Sequence, residues 1–253
     1  MQSVVKNRHT THQPRNFASS IPMKPNDKKA KYAILFIWIV LALEVVMFAS
    51  SIMQYVFLKA AQAGASVTQE AAEANDFREG IIGIIYLIAW IVSAVFFLRW
   101  FKTAYHNLRQ ITDVRHAEWW TIVSWCIPIV NLFLPYQIMK ELYIKTKEFL
   151  IAREYEISKT LMPDYLRGWW ILWIINLCLS QGLVRLSSKA EEISQLILVT
   201  WVSMGTDIIG VLLALVTIRV IKDYARIEPL LQQIAPQPPH ALPPPLLPLK
   251  AHS

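Results

Sequence analysis

WWTIVSWCIPIVNLFLPYQIM, residues 119–139, is apolar enough to enter a bilayer, yet Pro128, Asn131 and Pro135 interrupt it. Proline has no amide hydrogen, and its ring crowds the carbonyl one turn earlier. Two prolines seven residues apart therefore break the helix and free carbonyls that need other partners. Within lipid, such backbone is tolerated where it packs against protein or lines a cavity. Whether this segment spans or returns on its own side sets the topology of everything around it.

Four other apolar runs flank it, over residues 32–58, 81–98, 169–184 and 193–218. The first would rise about 40 Å as a helix, enough to cross a hydrocarbon core of roughly 30 Å with tilt. It is too long for the apolar core of a signal peptide and reads as a retained span. The second run continues past Arg99 and Lys102 with Phe101, Ala104, Tyr105, Leu108 and Ile111 at helical spacing. The short loop over 185–192 makes the last two runs a helical hairpin.

Basic residues decide how the broken segment behaves. If 119–139 dips in and returns, twenty-one of the 25 Lys and Arg residues fall on one side, leaving Lys59, Arg78, Arg185 and Lys189 on the other. That asymmetry is what the positive-inside rule expects with both termini in the cytoplasm. As a full span, the segment would carry the six basic residues between Lys140 and Arg167 outward. The re-entrant reading is therefore adopted, and a cytoplasmic amphipathic helix follows over 136–153. Its stripe of Ile138, Met139, Leu142, Phe149 and Leu150 is expected to lie on the membrane, with Lys140, Lys145, Lys147 and Arg153 facing anionic headgroups.

Composition agrees: 55% of the 253 residues are hydrophobic and only 17% charged, against roughly a quarter in soluble domains. Orientation accounts for the net charge of +7, so nucleic acid is not expected as a partner. Cys126 and Cys178 lie in apolar runs without a CxxC pair or a nearby His, and read as small buried hydrophobes. Residues 1–31 are polar, basic and proline-bearing, and residues 235–253 (with PPPLLP) are Pro-rich. Both read as disordered tails around a membrane domain over 32–230. His9 and His12 have metal-like spacing but fall in the first tail. No nucleophile sits beside a base and no Gly-rich phosphate loop exists, so neither an enzyme nor a cofactor is expected.

Three polar residues fall near the middle of their runs: Glu44, Asn176 and Asp207. A carboxylate at mid-bilayer costs a few kcal/mol even on lenient scales, so these side chains should face protein. Ser203, Asp207, Gly210, Ala214 and Thr217 share a stripe of small and polar residues that allows close helix approach. Glu44, Asp207 and Asn176 are expected to meet, either sharing a proton or a cation, or as protonated acids hydrogen-bonded to neighbouring helices. Asn131 is expected to bind backbone groups freed by Pro128 and Pro135, or else to line a binding notch.

The pattern W-x-x-x-A-x-x-N on Trp100, Ala104 and Asn107 is followed by W-x-x-P-x-x-N-x-x-x-P on Trp125, Pro128, Asn131 and Pro135, and then by Tyr136, Glu141 and the GWW of residues 168–170. Over about residues 32–230 the chain resembles a bacterial family of multi-pass membrane proteins catalogued as a domain of unknown function (DUF4328). It departs from that pattern at Thr103, near which a basic residue is common, and at Ser124, where glycine often precedes the tryptophan. The resemblance implies a membrane location and a four-span core, and brings no activity, cofactor or catalytic residue. The expectation is an all-α integral membrane helical bundle of four transmembrane helices plus one Pro-broken re-entrant segment, in a bacterial inner membrane. A non-enzymatic interaction or scaffold protein is the leading reading, with the lipid bilayer and an unidentified protein as partners. A small transporter or channel is the alternative.

Overall fold

The computed structural model describes residues 23–155 and 163–234, all helix, turn or irregular chain. The elements are α1 (Asp27–Gln62), α2 (Gln69–Arg109), α3 (Trp120–Cys126), α4 (Pro128–Asn131), α5 (Leu134–Ile151), α6 (Pro163–Ser187) and α7 (Ile193–Ile234). Helices α1, α2, α6 and α7 are long and apolar enough to cross a membrane. Residues 80–98 of α2 and 168–184 of α6 carry no charge, and at 1.5 Å per residue they rise about 29 and 26 Å. That matches a hydrocarbon core of roughly 30 Å. Glu44 and Asp207 are the sole charges within the corresponding windows of α1 and α7.

The four long helices alternate in direction. Gly64, in the left-handed region at φ 88°, turns the chain between α1 and α2. Thr68 then caps α2 by accepting from the Ala71 amide at 3.2 Å. Helix α1 packs along both α2 and α7, and α7 takes α6 on its other side. The registers come from side-chain pairs: Tyr86 with Glu44 between α2 and α1, Tyr55 with Trp201 between α1 and α7, Trp169 with Thr217 between α6 and α7. The near end is where α1 begins and α7 finishes; the far end holds the two hairpin turns.

The broken segment leaves the near end and comes back to it. Glu118 is 2.7 Å from His106 and Glu141 2.9 Å from the Tyr105 hydroxyl, so both arms are fixed at the same level of α2. Between them Trp125 is wedged among Phe97, Trp173 and Trp170, with ring centres at 5.6, 5.6 and 6.2 Å. Trp173 lies six residues beyond Arg167, so the wedge reaches about 9 Å past that charge. The tip is apolar and outward-facing at Ile127, Ile129, Leu132 and Phe133.

Several expectations change. The tail expected over 1–31 ends earlier, because Asn26 is buried and α1 starts at Asp27; side-chain hydrogen bonds to residues 24 and 26 hold this stretch on the bundle. The remainder of that tail, with His9 and His12, and the tail over 235–253 lie outside the described residues. The stripe of α5 does not lie on the membrane: Ile138, Met139, Leu142 and Leu150 are fully buried in the core, and Phe149 nearly so. The aromatic surface of α2, α6 and α7 (Trp100, Tyr105, Trp169, Tyr224) offers that stripe more apolar contact than a headgroup region would. Cys126 and Cys178 are exposed instead of buried, on helix faces that meet no neighbour. In a lipid-facing chain an outward apolar position needs no burial by protein.

Candidate functional site

At the near end a buried amide network fastens three helices. Asn107, with no exposed surface, accepts from the Lys24 amide at 2.8 Å through Oδ1, and its Nδ2 donates to the Lys24 carbonyl at 2.9 Å and to Glu228 at 2.8 Å. Asn26 donates to the same carboxylate at 2.8 and 3.1 Å. Glu228 is 2% exposed and so gathers α1 and α2 onto α7. Beside it Lys29 donates to Thr103 at 2.7 Å. Trp100 and Ala104, the other members of the first motif, are fully buried beneath the network.

Neither Asn26 nor Glu228 was singled out from the sequence. Glu228 carries a readable signal, since it falls on the buried stripe of Tyr224, Ile227 and Leu231, and a carboxylate there must find partners inside. Asn26 lay in a stretch read as tail, and nothing local marks it.

A second polar cluster, also missed, holds the loop over 110–119. His106 Nδ1 is 2.7 Å from Glu118 and His116 Nδ1 is 2.7 Å from Glu141. Tyr105 donates to Glu141 at 2.9 Å, and the Arg115 amide donates to the other oxygen of that carboxylate at 2.6 Å. Burial alone pushes the Glu118 carboxyl up, but His106 and Lys102, 3.8 Å away, outweigh it and hold the group below its ordinary range. His106 is itself buried. Among the described residues no three His, Cys, Asp or Glu side chains are grouped to hold a metal.

The mid-membrane residues come together in part. Glu44 accepts from the Tyr86 hydroxyl at 2.6 Å and lies against Gly210, where an added Cβ would overlap its carboxyl group. Asp207 is one turn from Gly210 on the same buried stripe as Thr200, Met204 and Ala214; it is 3% exposed, and its Oδ2 has no hydrogen-bond partner. The Trp169–Thr217 bond sets α6 against α7 so that Asn176 stands level with Gly210. Its amide oxygen is buried without a partner, so Asn176 shares the depth of the acids without bonding them. The groove beside Asp207 is apolar, about 180 Å³, and bordered by Val45, Phe48, Ile208, Val211 and Leu212.

The central motif serves packing. Pro128 opens α4 and Pro135 lies in the first turn of α5, positions where proline's missing amide costs little. Asn131 does not satisfy the freed backbone: its Oδ1 is buried and unpartnered, and the Trp170 indole instead donates to the Leu132 carbonyl at 3.1 Å. Ser124 is fully buried with its hydroxyl unpartnered. Asn131 sits near the level of Trp170, about 9 Å closer to the near end than Asn176, so the notch and the acids stay apart.

Residues 63–226 match the family described as Domain of unknown function (DUF4328), and the chain belongs to that family. No curated protein and no solved structure matches it. The matched stretch contains both motifs and Asp207 but neither Asn26, Glu44 nor Glu228.

Proposed function

We propose that this DUF4328 protein is a non-enzymatic interaction or scaffold protein of a bacterial inner membrane, with both termini in the cytoplasm. Its near end is the docking surface. The observation that carries the reading is the division of labour among polar groups there. The buried ones (Asn26, Asn107, Glu228, Glu141) are bonded to one another or to backbone and make the end rigid. The cations Arg99, Arg109, Lys140, Arg167, Arg219 and Lys222 remain exposed around its rim. A rigid end ringed by cations suits anionic headgroups and an acidic protein face.

The test is residue-specific photocrosslinking in native membranes, with the probe at Lys140 or Lys222 and, as control, at Lys189. One discrete protein adduct at both near-end positions and none at Lys189 supports the reading. Thiol labelling of cysteines at Lys222 and Lys189 from each side checks orientation. A small transporter or channel is the second reading, favoured by the unpartnered Asp207 carboxyl oxygen. Solute flux in proteoliposomes that D207N or E44Q abolishes would put transport ahead.

A further inference from the structure

The seam between α1 and α7 changes character along its length. Between the acids and the near-end network of Asn26 and Glu228 its buried residues are apolar over about five turns: Ala33, Ile37 and Val40 from α1 against Ala214, Ile218 and Ile221 from α7. On the far half they are Glu44 and Ser51, with Leu58 beyond them, against Thr200, Met204 and Asp207, while Ser50 faces α2. Seven residues separate Asp207 from Thr200, and as many separate Glu44 from Ser51, so hydroxyls extend about 10 Å beyond the acids toward the far surface. At that mouth Ser50 bonds Glu79, and Arg78 Nε donates to Ser50 at 3.0 Å. The Arg78 and Glu79 side chains are 29% and 30% exposed, so the path reaches solvent at this end. An acid pair used only for packing would need polar neighbours at its own level; it has no use for a polar line leading to one surface.

Among the described residues no cation pairs with either acid. From α2 they face Tyr86 at their own depth, with Glu79 and Arg78 about 10–12 Å further along the helix at the mouth. Tyr55 of α1 lies at the far end against Trp201, and α6 contributes Asn176, with its Cys178 thiol exposed at the same level. The contact of Glu44 with Gly210 leaves no room for a hydrated ion, and the neighbouring groove is apolar. A proton needs no volume, and Asp207 Oδ2 is a buried acceptor still without a donor.

We propose that Asp207 and Glu44 take up protons from the far side alone, through the hydroxyl-lined half of the α1–α7 seam, as a dead-end sensor of the acidity of that compartment. The proton comes from a buffer acid there and returns to its conjugate base, while the apolar near half passes no current. Calling that compartment the outer one rests on the orientation proposed above.

The full chain in proteoliposomes, with insertion direction scored by protease access, is followed by infrared spectroscopy while the pH is stepped on one side. A carboxylic acid band, lost in D207N or E44Q, is expected to grow on acidification of the far side and to stay constant on acidification of the near side. Ser51→Ala should slow the response, and a dye inside the vesicles should record no proton flux. A band that follows the near side, or responds to neither, overturns the proposal, as does a proton flux removed by D207N. If only the cellular orientation is wrong, the band still follows the far face and thiol labelling reports the reversal.

Discussion

Replacing Asn107 with alanine tests whether the near-end network holds the bundle. Three hydrogen bonds disappear: two to the Lys24 backbone at 2.8 and 2.9 Å, and one to Glu228 at 2.8 Å. Lys24 is exposed, so its amide and carbonyl can turn to water, and each loss costs roughly 0.5–1.5 kcal/mol. Glu228 is buried and cannot be rehydrated; losing one donor to a carboxylate that keeps Asn26 costs about 1.5–3 kcal/mol. The sum is about 2.5–6 kcal/mol. The assay is reversible unfolding in mixed micelles by denaturant titration, with hydrogen exchange over residues 23–30 followed in parallel. The variant should lose that stability and its protection over 23–30, with α6 exchanging as before. A loss under about 0.5 kcal/mol, the scale of an ordinary surface change, with protection over 23–30 unchanged, would refute the network as a fastener.

Gly210→Ala places a Cβ on the Glu44 carboxyl, so overpacking of about 1–3 kcal/mol is expected, visible as a lower unfolding midpoint; a stability equal to wild type would show that α1 and α7 are not in close contact there. Trp125→Ala removes the half-buried wedge from among Phe97, Trp170 and Trp173, and about 2 kcal/mol should go, below the range for a fully buried tryptophan, with faster exchange over 120–133 and none over α7. Acid should release the loop over 110–118. The folded Glu118 carboxyl titrates below its ordinary value, so its contact with His106 contributes stability above the unfolded value of about 4.3 and loses it as pH falls through the lower folded value. Exchange protection over 110–118, corrected for intrinsic rates, should therefore fall away below about pH 4, and protection that persists there would dismiss this contact as the latch.

The four long helices were legible because each presents an apolar window the length of a bilayer, uncharged in α2 and α6 and broken by a single acid in α1 and α7, which is a property of the chain before it packs. The two prolines announced the broken segment for the same local reason. What the sequence did not disclose depends on which helices become neighbours. The stripe of α5 is equally suited to a lipid surface and to an aromatic wall, and Trp100, Trp169 and Tyr224 converge to form that wall only in the fold. The acids were recognisable as inward-facing from their cost in lipid, but the Tyr86 hydroxyl that serves Glu44 comes from another helix, 42 residues on. Glu228 was within reach of helical periodicity, whereas the pairing of His116 with Glu141 joins a loop to a helix at no regular spacing.

The first motif, within the stretch that matches the family, is among the most deeply packed parts of this chain. Trp100, Ala104 and Asn107 have no exposed surface, and Trp125 and Pro135 fix the broken segment against α2 and α6. Residues so enclosed can specify how the helices meet, but they cannot touch a solute without opening the core. Asn107 makes the point most sharply, since two of its partners, Lys24 and Glu228, lie outside the stretch that matches the family. Its amide joins that stretch to the chain on either side. Activity is then sought outside those packed residues, at the exposed cations of the near end other than Arg219, which is bonded to Asp223 at 2.8 Å, and at the far half of the α1–α7 seam, with its unpartnered Asp207 oxygen. These two places answer to different experiments, crosslinking for the first and one-sided titration for the second, so a failure at one leaves the other standing.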